Sequence, residues 1–140
     1  MSRIVLAVAL LFLGAEAAHA DDDFKTCASG PPDYAIMACT NLIEGGKLDA
    51  RDQSVAYTNR AVAFRKRGGL NRALADLNRA LEQDPKHYRA LEQLGQAYDA
   101  LGKKPEALEA YRKALAINPF LSDAEQSVRF LEKEIGARNL

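Results

Sequence analysis

The sequence has no tryptophan, only two histidines and two cysteines, and no excess of charge of either sign. Nineteen lysines and arginines balance 19 aspartates and glutamates, so the chain lacks the basic surplus typical of nucleic-acid-binding proteins. Aromatic residues make up only 7% of the chain, so alanine and leucine must supply most of any core. With 140 residues, 48% of them hydrophobic, the sequence predicts one globular domain, and its alanine- and leucine-rich composition favours helices.

Residues 1–20 have the three parts of a secretory signal peptide. Arg3 gives a positive start, Ile4–Leu13 is an unbroken apolar run, and Ala18–Ala20 is a small-x-small cleavage site. An uncleaved membrane anchor is the alternative, but the apolar run is shorter than the roughly 20 residues that cross a bilayer. We therefore expect a mature chain that starts at Asp21, has no membrane span and is exported, to a bacterial periplasm or otherwise by secretion.

Both cysteines, Cys27 and Cys39, lie in the predicted mature chain. In an oxidising compartment an even pair at short spacing predicts a disulfide. A redox or metal pair is the alternative, although the spacing is not that of a CxxC motif.

The chain contains an internal repeat of 34 residues. When Ser54–His87 is laid over Tyr88–Leu121, eight positions are identical. They are Ala56/Ala90, Ala63/Ala97, Gly68/Gly102, Ala73/Ala107, Leu74/Leu108, Ala80/Ala114, Leu81/Leu115 and Pro85/Pro119. The two glycines stand where a first helix must stop and turn, and the two prolines end a second helix. The pattern predicts helices over residues 52–66, 71–83, 87–100 and 105–117.

The segments that flank the repeats are expected to close the ends of its core. Residues 21–53 form an N-terminal strap and one helix over 34–43, whose partner helix is missing or very short, and the disulfide pins the strap to that helix. Residues 122–140 form a capping helix and tail that begins with a capping box, Ser122-x-x-Glu125. Its apolar stripe consists of Ala124, Val128, Leu131 and Ile135. Dimer formation is the competing way to bury the ends.

The repeat resembles the tetratricopeptide repeat, whose period is 34 residues. The second unit, residues 88–121, carries the pattern most fully, at Leu91, Leu94, Gly95, Tyr98, Ala107, Tyr111, Ala114 and Pro119. The first unit, residues 54–87, departs from it at Arg60 and Leu77. The resemblance implies an all-α protein, a short α-solenoid of antiparallel helix pairs with an N-terminal half-repeat and a C-terminal capping helix. An unrelated helical bundle with chance periodicity is the alternative.

The resemblance also implies a concave groove lined by the first helix of each unit. The partner-binding candidates are Thr58, Asn59, Val62, Arg65, Lys66, Arg89, Glu92, Gln93 and Gln96. Asn59 and Gln93 share one repeat position, where an amide can both donate to and accept from a peptide backbone. The Lys/Asn pair with which family members clamp an acidic C-terminal tail would fall at Thr58 and Val62, and it is absent. An ordinary solvated helix face is the alternative for each of these residues.

The sequence offers no grouping of residues that predicts catalysis. It has no GxSxG or HExxH motif and no phosphate-cradling glycine loop, so we expect a non-catalytic protein without a cofactor or metal. The expected partner is another protein or a peptide. The alternative is a structural subunit, a homodimer or part of an envelope assembly, that docks through the stripe of Val128, Leu131 and Ile135.

Overall fold

The computed structural model describes residues 19–138, which fold into seven helices and no strand. The helices are α1 (19–29), α2 (Pro32–Glu44), α3 (Ala50–Lys66), α4 (Leu70–Gln83), α5 (Tyr88–Ala100), α6 (Lys104–Ile117) and α7 (Ser122–Arg138). Most of the predicted signal peptide, residues 1–18, and the end of the predicted tail, residues 139–140, lie outside the described residues. Of the described helices, none combines the length and the apolarity that a bilayer crossing requires.

Each helix packs mainly on its neighbours in the sequence, which makes the fold a short all-α solenoid. The closest pairings are α3 with α4 and α5 with α6, the two hairpins of the predicted repeats. One core cluster runs across both hairpins and joins Ala61, Ala73 and Leu77 to Ala90 and Leu94. The repeat units therefore share a continuous core, as the predicted fold class requires.

The two repeat hairpins turn with the same geometry. Gly68 and Gly102 have positive φ angles of 78° and 73°, a conformation that glycine adopts without steric cost. After each glycine a backbone N–H reaches back to the preceding helix, from Gly69 to the Phe64 carbonyl at 2.8 Å and from Lys103 to the Tyr98 carbonyl at 2.9 Å. This repeated Schellman turn places the ends of α3 and α5 where the sequence predicts them.

The N-terminal half-repeat differs from its prediction. Residues 19–29 are helical, so the expectation that the partner of α2 is missing or very short is wrong. No glycine or proline interrupts this segment before Gly30, and three aspartates at its start favour the N-terminal end of a helix. A disulfide joins Cys27 on α1 to Cys39 on α2, with 4.8 Å between the Cα atoms.

The capping helix α7 turns its apolar stripe inward. Leu131 is fully buried, and Val128 and Ile135 pack against the cluster that includes Tyr111 of α6. The stripe is therefore part of the core and not a free docking surface. The predicted capping box does not form, because the Glu125 N–H donates to the Leu121 carbonyl, at 3.0 Å.

Arg60, the departure from the repeat pattern, forms an ion pair at a site where three helices meet. Its Nε and Nη2 atoms lie 2.7 and 2.8 Å from the two carboxylate oxygens of Asp76 on α4. Its Nη1 donates to Thr40 Oγ1 on α2 at 2.9 Å. A bidentate pair of this kind restricts the geometry of both groups, so Arg60 fixes α2 and α4 relative to α3.

Candidate interaction groove

The first helices of successive hairpins lie side by side along one surface of the solenoid. Residues of α1 and α3 line a common cleft, a hydrogen bond joins α3 to α5, and Glu92 on α5 lies within electrostatic range of Asp123 on α7. We call the surface formed by α1, α3, α5 and α7 the inner groove. It is the surface on which the sequence predicts the partner-binding residues.

Arg65 and Gln93 link the two repeats in the middle of the inner groove. The Arg65 Nη2 atom donates to Gln93 Oε1 at 3.2 Å. The Arg65 Nε atom is buried and has no hydrogen-bond partner within residues 19–138. A buried N–H without an acceptor is costly, so this guanidinium favours an added acceptor nearby.

Asn59, Val62 and Lys66 lie at the N-terminal end of the inner groove. All three line a small cleft of about 70 Å³, together with Cys27 and Ala28 of α1. The Asn59 amide nitrogen is 4.0 Å from the Cys27 sulfur. The α1 helix and its disulfide thus form the wall beside these three predicted residues.

The α5 end of the inner groove is acidic. Burial raises the pKa of the Glu92 carboxyl above its ordinary value, and the Asp123 carboxylate acts in the same direction, whereas Arg89 opposes them. Burial likewise raises the pKa of the Tyr111 phenol. Carboxylates in this setting favour a cationic neighbour, because a positive charge offsets the cost of their desolvation.

A cleft between α5 and α7 continues this acidic end. Asp99 on α5 lines it with Gln126, Ser127 and Phe130 of α7, around a volume of about 240 Å³. Gln96, the remaining predicted residue on α5, is half-buried, and Arg89 is exposed. The cleft therefore offers both carboxylate and aromatic surface at the C-terminal end of the inner groove.

Thr58 does not belong to the open surface, contrary to its prediction. Its side chain is 3% exposed, its hydroxyl donates to the Ser54 carbonyl at 2.7 Å, and the His87 Nδ1 atom lies 3.4 Å away. His87 covers this position from the α4–α5 loop, which a helical periodicity alone does not reveal. The predicted amide pair is also engaged, since Gln93 accepts from Arg65 and Asn59 faces Cys27.

Three groove residues on α7 were missed by the sequence reasoning. A second shift of the repeat by 34 residues carries Glu92, Gln93 and Gln96 onto Gln126, Ser127 and Phe130. Phe130 is 57% exposed, and the Lys104 Nζ atom lies 5.9 Å from its ring centroid. The repeat spacing would have found these positions if it had been extended past Leu121.

Comparison with known proteins gives one consistent family. Residues 58–122 match the family model described as tetratricopeptide repeat. The small glutamine-rich tetratricopeptide repeat-containing protein 2 of Saccharomyces cerevisiae is 41% identical over 93 residues, which are 66% of this chain and 26% of that protein. The chain spans about a quarter or less of the length of the curated relatives that it matches.

Two solved structures resemble the fold over most of the chain. The first TPR of Spaghetti (RPAP3), bound to the HSP90 peptide SRMEEVD, has 26% identity and a TM-score of 0.72, over 86% of this chain and 94% of that one. A crystal structure of MamA has 26% identity and a TM-score of 0.74, over 91% of this chain and 69% of that one.

Proposed function

Because this chain is a tetratricopeptide repeat protein, we propose that it is a non-catalytic interaction module that binds a peptide or an extended partner segment in the inner groove. The observation that carries this proposal is the link from Arg65 to Gln93, which places a guanidinium with an unpaired buried N–H between the two repeats. A carbonyl or carboxylate oxygen of a bound segment would supply the missing acceptor.

The distribution of charge along the inner groove supports a partner segment of mixed charge. Arg65 and Lys66 stand on α3, and the carboxylates of Glu92, Asp99 and Asp123 stand on α5 and α7. An acidic group near α3 and a basic group near α7 would match this order. Complementary charges of this kind set the direction and the rate of binding more than the affinity.

The ligand differs from the acidic tail held by the similar Spaghetti domain. That domain is bound to the peptide SRMEEVD, whereas the positions of a Lys/Asn clamp on α3 are here Thr58 and Val62. Thr58 is buried and Val62 is apolar, so neither offers a charge to a terminal carboxylate. We infer an internal segment of a partner in place of an acidic C-terminus.

The proposed site of action is outside the cytoplasm, in a bacterial periplasm or by secretion otherwise. The three-part pattern of residues 1–20 supports export, and the disulfide between Cys27 and Cys39 is suited to an oxidising compartment. Fractionation of cells that express the chain with a C-terminal tag tests this location. Tagged protein of full, uncleaved length in the cytoplasm would contradict it.

A charge-reversal pair tests the groove. Arg65→Glu with Lys66→Glu places two negative charges at the middle of the inner groove. Arg112→Glu with Lys113→Glu, on the exposed side of α6, makes the same charge change away from it. Partners are captured from the native envelope and identified by mass spectrometry, and fluorescence anisotropy then measures peptides from their sequences. We expect affinity about tenfold weaker for the first variant and unchanged for the second. Equal affinities for the two variants would contradict the groove as the binding site.

A self-associating structural subunit is the competing role and stays a prediction. The stripe on which it was based is buried against α6, so it no longer has a proposed docking surface. Light scattering over a range of protein concentrations distinguishes the two roles, since only a subunit role requires self-association.

A further inference from the structure

The helix α1 is attached to the rest of the protein almost entirely through one residue. Within residues 19–29, Cys27 is the single buried side chain, and it belongs to a core cluster with Cys39, Leu42 and Ala56. A hydrogen bond of 3.3 Å from Asn41 Nδ2 to Asp23 Oδ2 adds one exposed polar contact. Phe24, the largest apolar side chain of α1, is 44% exposed.

A helix with so little buried surface has no strong reason to stay in place by itself. Isolated helices shorter than about 12–15 residues are marginal in water, and protein helices gain most of their stability from packing an apolar face. The described part of α1 covers residues 19–29 and buries one side chain, which is also the cross-linked one. The covalent bond to Cys39 therefore holds α1 against α2.

The location of α1 gives this attachment a consequence for the inner groove. Cys27 and Ala28 line one cleft with Asn59, Val62 and Lys66 of α3. When α1 is in place, it forms the N-terminal wall of the inner groove and shields the Asn59 side of α3. When α1 is detached, α3 becomes the edge of the inner groove.

We propose that the Cys27–Cys39 disulfide regulates the inner groove: oxidation completes its N-terminal wall, and reduction releases α1 and opens the α3 side that carries Asn59 and Val62. This inference rests on the proposed function of the inner groove. It makes the complete binding surface dependent on an oxidising compartment. A chain whose cysteines are reduced has the two repeats but a shorter inner groove.

The chemical step is a thiol–disulfide exchange with a dithiol reductant. One thiolate of the reductant attacks the Cys27 sulfur, because Cys39 is the more deeply buried of the two. The S–S bond breaks, a mixed disulfide forms on Cys27, and Cys39 leaves as a thiolate that takes up a proton. The second thiolate of the reductant then releases Cys27 as a thiol. The protein gains two electrons and two protons, and the dithiol becomes a disulfide.

Hydrogen exchange on the exported protein, with and without dithiothreitol, tests the release of α1. A thiol assay first establishes that no free thiol is present before reduction and two after it. We expect the amides of residues 22–29 to exchange at least about tenfold faster after reduction, since local opening exposes them, while those of α5 and α6 change less than about threefold. Trypsin cleavage after Lys25 should accelerate in parallel, because a helical bond must open before it is cut.

The double variant Cys27→Ala with Cys39→Ala is the matched control. It should exchange like the reduced protein without reductant, and it should not respond to dithiothreitol. If this variant does not fold, the reduced natural chain still decides the outcome. Unchanged exchange of residues 22–29 in protein with two titrated thiols would overturn the proposal. Equal acceleration in α1, α5 and α6 would also overturn it, because the disulfide would then stabilise the whole fold and not one wall.

These measurements need no groove ligand, so they separate this inference from the proposed function. Release of α1 in a protein that binds no peptide would leave the redox step standing and remove only its role in binding. Peptide affinity that is equal in the oxidised and reduced states, with α1 shown to be released, would overturn the regulatory role.

Discussion

Gly95 on α5 lies directly against the ring of Tyr111 on α6. A Cβ atom added to Gly95 would stand 2.8 Å from the Tyr111 Cδ1 and Cε1 atoms. Carbon atoms do not approach so closely, so the hairpin of the second repeat depends on the absence of a side chain at this position.

Gly95→Ala should therefore destabilise the protein although alanine is the better helix former. Forcing an extra carbon into a packed core costs about 1–3 kcal/mol, which exceeds the gain of about 1 kcal/mol in helix propensity. Urea unfolding followed by circular dichroism measures the change. Gly136→Ala on α7 is the control, because an added Cβ there meets nothing within 4 Å. It should leave stability unchanged or raise it, and equal effects at the two glycines would contradict the close approach.

Asp76→Ala should destabilise the first repeat strongly, because it leaves the Arg60 guanidinium without its carboxylate partner. The Arg60 and Asp76 side chains are 17% and 8% exposed, and breaking a buried pair costs about 3–5 kcal/mol, less the share that residual solvent contact screens. The equivalent residues of the second repeat, 34 positions on, are Leu94 and Ala110, both buried and apolar.

Arg60→Leu with Asp76→Ala copies that apolar pair into the first repeat. We expect the double variant to recover most of the stability lost in Asp76→Ala, which a double-mutant cycle in urea measures. Additive losses from the two substitutions would indicate that the ion pair contributes little beyond its separate side chains.

His87 should make the protein less stable in mild acid. Burial lowers the pKa of its imidazole below the ordinary value of 6.5, so the unfolded chain takes up a proton more readily than the folded one. The free energy of unfolding should therefore fall as the pH drops below about 6.5 and level off below the folded-state pKa. In the folded protein the His87 Nδ1 atom is 2.8 Å from the Ser54 hydroxyl oxygen.

The effect is read as a difference between two pH profiles. His87→Gln removes the titrating group, so its stability should decline less between pH 7.5 and pH 5. Glu92 acts in the opposite direction, since its raised pKa favours the folded state as the pH falls, but it is common to both proteins. Parallel profiles for the natural chain and His87→Gln would rule out the lowered imidazole pKa.

Leu131→Ala and Phe130→Ala should have very different effects although the residues are adjacent on α7. Leu131 is fully buried under α6, and removing such a side chain costs about 2–5 kcal/mol. Phe130 is more than half exposed and lines the inner groove, so its loss should barely change stability. Thermal unfolding of both variants provides the comparison. A larger loss for Phe130→Ala would show that the α7 stripe faces outward.

The repeat hairpins were predictable because their punctuation is local. Gly68, Gly102, Pro85 and Pro119 mark ends that a backbone cannot ignore, and the four predicted helices agree with the observed ones to within two residues. The 34-residue repeat also sufficed to place Arg65 and Gln93 on one surface. Family membership and the solenoid fold follow from the same pattern.

The features that could not be predicted depend on contacts distant in sequence. The burial of Thr58 depends on His87, 29 residues away, and the partner of Arg60 is 16 residues away on another helix. The helix α1 has no repeat counterpart with matching residues, so no pattern marked it. A charged residue at an apolar repeat position was nevertheless a usable signal, since Arg60 needs a buried carboxylate.

The contact of Arg60 with Thr40 also makes the units of this solenoid non-interchangeable. Position for position, Thr40 and Arg60 become Leu74 and Leu94 one unit later, so one junction is polar and the next is greasy. A chain with its two repeats exchanged would set a leucine against the threonine hydroxyl and a guanidinium against a leucine. The sequence thus carries an address as well as a period, and only one order of modules satisfies every junction.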